Sequence, residues 1–147
     1  MQNTTPVHPI ERFLAILAAV VCLVITIVVW LSVSAYQPMW PLPALYFIEV
    51  TALGILSAFM FIRGGRMGRI FTWASAGVFL GFALVGAFSV GFLYLPITLM
   101  FVAISFSSSA GQRQLMMTGL AAFLIAGLAQ AALMLVLIRL LYPGPAF

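Results

Sequence analysis

Residues 70–112 read IFTWASAGVFLGFALVGAFSVGFLYLPITLMFVAISFSSSAGQ, without one charged side chain. As a single helix, residues 70–106 would be about 55 Å long at roughly 1.5 Å per residue. The hydrocarbon layer of a bilayer is only about 30 Å thick. The stretch must therefore double back. Residues 86–96, GAFSVGFLYLP, offer the place, with Gly86, Gly91, Tyr94 and Pro96 in quick succession. This predicts a helical hairpin of two spans, residues 70–88 and 92–106.

The flanking sequence extends the pattern. Between Phe13 and Tyr142 there is no Lys and no Asp, one acid (Glu49), and five basic residues, all Arg. The chain is 65% hydrophobic and 5% charged, where soluble domains average about 45–50% and 25%. Apolar runs at residues 13–35, 44–62 and 115–141 are each long enough to cross a bilayer. The N-terminal run is too long for a signal-peptide core and lacks a basic lead-in, since Glu11 offsets Arg12, so it reads as an uncleaved first span. The expectation is an all-α integral membrane protein, residues 1–147 forming a single transmembrane domain, a bundle of five helices. A four-span arrangement, with residues 93–112 lying on the outer surface, is the runner-up. It would leave an unusually apolar loop in water.

The connectors carry topology signals. Pro38, Pro41 and Pro43 interrupt the first loop, where Tyr36 and Trp40 suit the headgroup level. Tyr142, Pro143 and Pro145 close the last span. Residues 63–69, RGGRMGR, hold Arg63, Arg66 and Arg69. Positive loops stay on the cytoplasmic side. This places the N-terminus, the triple-arginine turn and Arg113 inside, and points to a prokaryotic inner (plasma) membrane. The same three arginines could meet anionic lipid headgroups. Concentrated in one short turn, they look unlike a nucleic-acid groove, and no nucleic-acid partner is expected.

Glu49 asks for an explanation, because an acid inside a span is costly and is a functional candidate by default. In the five-span arrangement Arg139 lies at a similar depth, so a structural Glu49–Arg139 ion pair joining the second and fifth spans is expected. Gly77 and Gly81 form a small-residue face on the third span, and Ala122, Ala126 and Gln130 form one on the fifth. Such faces let backbones approach, and an amide can bond across the contact.

The remaining inventory argues against chemistry. His8 is the sole histidine and lies outside the spans, and Cys22 is the sole cysteine. That leaves no His pair for haem, no thiolate cluster for iron–sulfur, and no carboxylate dyad. Ser107, Ser108 and Ser109 have no neighbouring base and read as a connector. No cofactor is expected. The reading is a non-catalytic accessory subunit of a larger integral membrane complex, with lipids and other membrane subunits as partners. Bioenergetic assemblies, electron-transfer or photosynthetic, are hosts of this kind by analogy. A small transporter or channel using Glu49 and Gln130 is the alternative.

Overall fold

The computed structural model describes residues 8–36, 42–86 and 90–141. The aromatic prolyl loop around Trp40 and the closing Tyr142–Pro145 segment fall outside these residues. The described residues are helical, without strands, and five helices are long and apolar enough to span a membrane. The helices are α1 (Pro9–Ser34), α2 (Leu42–Arg63), α3 (Gly65–Val85), α4 (Leu95–Ser109) and α5 (Arg113–Leu141); the fourth reaches spanning length only together with the turn before it, as Gly91–Ser109.

Local sequence sets the boundaries. Helix α1 starts at Pro9, whose fixed φ suits a first turn. His8 and Glu11 form a reciprocal capping box: the His8 imidazole accepts from the Ile10 amide at 3.5 Å, and Glu11 accepts from the His8 amide at 3.1 Å. Between α2 and α3 the chain reverses through Gly64 and Gly65, at φ 77° and 85°. Side-chain-bearing residues seldom adopt such values.

The predicted hairpin forms where expected. The Gly91 amide donates to the Gly86 carbonyl at 2.8 Å. A Cβ on Gly91 would lie 2.6 Å from the Gly86 Cα, so neither strand of the turn leaves room for a side chain. Residues 91–94 then form a short 3-10 turn leading into α4. The fourth helix therefore begins and ends three residues later than predicted, and takes in all three serines. Pro96 in the first turn of α4 explains the shift: it tolerates a helix start but not a helix interior.

Helices α1 to α4 form a closed ring in which α1 packs on α2, α2 on α3, α3 on α4, and α4 back on α1. The ring encloses Cys22, Val50, Phe61, Phe79, Tyr94 and Phe101. Phe79 and Phe101 stack at 5.5 Å, and Phe82 meets Tyr94 edge-on at 5.1 Å. Helix α5 stands outside the ring and packs chiefly along α3. In the most apolar 18-residue stretch of each helix, 61% of residues are buried in α3 and 11% in α5.

The α3–α5 contact rests on glycine. A Cβ on Gly77 would sit 2.9 Å from the Phe123 carbonyl carbon, and one on Gly81 2.6 Å from the Gly127 oxygen. From the other side, Gly119 leaves space for the indole of Trp73, whose Cγ would lie 2.7 Å from an added Cβ. The small residues thus set how close the two helices come.

Candidate functional site

The polar groups gather at two levels. The first is the end of the bundle where α1 and α3 begin and α4 stops. Here three consecutive serines each take a different partner. Ser107 donates its hydroxyl to Glu11 Oε1 at 2.7 Å, Ser108 accepts at its carbonyl from Arg69 Nη1 at 3.0 Å, and Ser109 accepts at Oγ from Trp73 Nε1 at 3.2 Å. The last carbonyls of a helix have no partner within it, and a cation there is favoured by the helix dipole. Arg69 therefore caps α4, Glu11 ties α1 to α4, and Trp73 ties α3 to it.

The turn expected over residues 63–69 narrows to Gly64, since Arg63 ends α2 and Arg66 and Arg69 lie on α3, and the three arginines separate. Arg63 and Arg66 are exposed, and the Arg63 guanidinium lies 4.5 Å over the Phe59 ring. Arg69 is only 5% exposed and serves as an internal strut. Residue spacing carries a clue that counting charges misses. Arg69 and Trp73 are four residues apart on one helix face, and the serine run supplies matching acceptors.

The second level lies toward the opposite end. Gln130 is buried on α5 and donates from Nε2 to Glu49 Oε2 on α2 at 3.2 Å. The amide reaches across because Gly81 has no side chain: a Cβ there would lie 3.2 Å from the Gln130 Cβ. The expected partner of Glu49 was Arg139, and the structure does not join them. Arg139 is exposed in the last turn of α5, and no Glu49–Arg139 ion pair occurs among the described residues. The reason is height as well as rotation about the helix axis. Gln130, level with Glu49, and Arg139 are nine residues apart, about 13 Å along the axis and two and a half turns at 3.6 residues per turn. If one faces the bundle, the other faces away.

Gly77 and Gly81 face α5, where they meet Phe123, Gly127 and Gln130. Ala122 and Ala126 are half-buried beside that contact. Deeper in the ring, Thr26 donates to the Cys22 carbonyl at 2.9 Å and lies 2.9 Å from the Tyr94 hydroxyl. Since the only hydroxyl proton of Thr26 is engaged, Tyr94 is the donor of that second bond. Cys22 itself points its thiol at the Val50 carbonyl at 3.6 Å. A shallow groove of about 370 Å³ opens between α1 and α2, lined by Trp30, Phe47, Ile48 and Thr51 among others.

No group of three or more His, Cys, Asp or Glu residues with the spacing of a metal site occurs among the described residues. Compared with known protein families, characterised proteins and solved structures, the chain matches none.

Proposed function

We propose that this chain is a non-catalytic, membrane-embedded accessory subunit that packs beside other integral membrane proteins. The observation that carries the reading is the position of α5. The first four helices close on one another, while α5 is attached along α3 and turns Ile125, Leu128, Leu135 and Val136 outward. A long apolar rod outside a closed ring offers its free side to lipid and to neighbouring helices. The polar side chains favour a structural role as well. Glu11, Arg69, Trp73, Thr26 and Gln130 all bond from one helix to another, an arrangement suited to holding a scaffold rather than to acid–base work.

The arginine-bearing end, with Arg12, Arg63, Arg66, Arg69 and Arg113, is the cytoplasmic end in this reading. The membrane is a prokaryotic plasma membrane, and a bioenergetic complex is the host favoured by analogy. Purification from native membranes in mild detergent, followed by mass spectrometry, tests the proposal. Co-purification at fixed stoichiometry with a larger assembly is expected. A monodisperse chain with no companion refutes it.

A further inference from the structure

The Glu49–Gln130 bond leaves one quantity unbalanced, the charge. A carboxylate within a span is stabilised by a counter-charge, and a neutral amide supplies none. Arg139, the only cation near that end among the described residues, is turned away.

A second group points to the same place. Tyr46 is 8% exposed, and its hydroxyl is buried with no hydrogen-bond partner. An unpaired buried hydroxyl costs about 1–3 kcal/mol. Tyr46 lies three residues before Glu49, so both side chains leave α2 on one side. The Tyr46 ring packs at 6.0 Å against Phe82, whose neighbour Gly81 admits Gln130. The carboxylate that holds the amide and the free phenol thus lie one turn apart on the same side of α2.

We propose that Glu49, Gln130 and Tyr46 form an intramembrane site for one small monovalent metal cation of the sodium type. The three side chains offer only oxygen ligands once the Gln130 amide makes a half-turn, which exchanges Nε2 for Oε1 toward Glu49. Oxygen donors without imidazole or thiolate select hard cations over transition metals. One carboxylate balances one positive charge. A divalent ion would leave a net charge in the hydrocarbon, and such ions take six or more oxygens, usually several of them carboxylates. Glu49 is half-buried, seven residues past the first residue of α2, or about 10 Å along the axis. An ion reaches it from the end away from the arginine turn. The site stands whether or not the chain belongs to a larger assembly.

The test uses the full chain in lipid nanodiscs, with sodium chloride compared with choline chloride at equal ionic strength and pH. Dicyclohexylcarbodiimide reacts with a carboxyl group that holds a proton, so a bound cation protects it, and mass spectrometry reads the labelling of Glu49. Sodium is expected to slow labelling about fivefold at four times its dissociation constant, whereas choline leaves it unchanged. Tyr46→Phe should still label without sodium, yet need about tenfold more sodium for protection, as expected for losing one ligand to a charged partner. Sodium should also raise the Tm of the parent chain and not that of Glu49→Gln. Equal labelling in sodium and choline overturns the site, because a proton alone then serves. So does an unlabelled Glu49 in a folded chain, or full sodium protection in Tyr46→Phe.

Discussion

Replacing Gly77 by alanine tests the close approach of α3 and α5 with a single methyl group. The added carbon would lie 2.9 Å from the Phe123 carbonyl carbon and 3.0 Å from its Cα. Ordinary contacts begin near 3.4 Å and the Phe123 carbonyl oxygen would be nearer than either carbon, so the helices must separate by more than the 0.5 Å that the carbonyl carbon alone requires. These neighbours are backbone atoms and cannot swing aside as a side-chain tip can. Overpacking of this kind costs about 1–3 kcal/mol, and a shift of α5 would also loosen Trp73 against Gly119. Alanine returns up to about 1 kcal/mol through its better helix propensity. The expected net loss is about 1–2 kcal/mol, or roughly tenfold in the folding equilibrium at the midpoint of that range. Gly54→Ala is the matched control. Its nearest obstacle is the Cys22 Sγ at 3.1 Å, the end of a side chain, and the change should be close to neutral. Reversible unfolding in mixed micelles with increasing dodecyl sulfate, followed by tryptophan fluorescence, measures both. If Gly77→Ala is as stable as Gly54→Ala, the glycine-set spacing of α3 and α5 is wrong.

The serine latch yields further predictions. Arg69→Ala should cost about 2 kcal/mol by removing a charged donor from the end of α4, while Arg66→Ala, exposed on the same turn, should stay within about 0.5 kcal/mol in the same unfolding assay. Trp73→Phe and Ser109→Ala should each cost about 1 kcal/mol; the double variant should lose less than their sum, and strict additivity in the cycle would refute the bond. Glu11→Ala should cost about 1–2 kcal/mol through the lost cap and the lost Ser107 bond. Hydrogen exchange should then speed up in the first turn of α1, with no change in α5.

Much of the architecture was legible because it depends on length. A charge-free stretch too long for one crossing has to turn, and two glycines ahead of a proline marked the place. What the sequence hid depends on azimuth. Counting residues from the span ends puts Glu49 and Arg139 at one depth, but α5 overruns α2, and Gln130 is the residue both level with Glu49 and on the side of α5 that meets α3. Charge patterns group Arg69 with Arg63 and Arg66 because they ignore which face a residue occupies. The serine run looked like a linker, since nothing adjacent in sequence could bond it. Its partners come from positions 11, 69 and 73, and only the tertiary packing of the ring brings them together.

The helices also differ in reach. The fourth has 15 residues and the fifth 29, about 22 Å against 43 Å at 1.5 Å per residue. The preceding 3-10 turn adds about 8 Å to the shorter one. Lipid of uniform thickness cannot match both flanks of such a body if the two rods stand upright. Unless the longer rod leans, acyl chains must be compressed on one side and stretched on the other, which would draw the molecule toward boundaries between thin and thick bilayer.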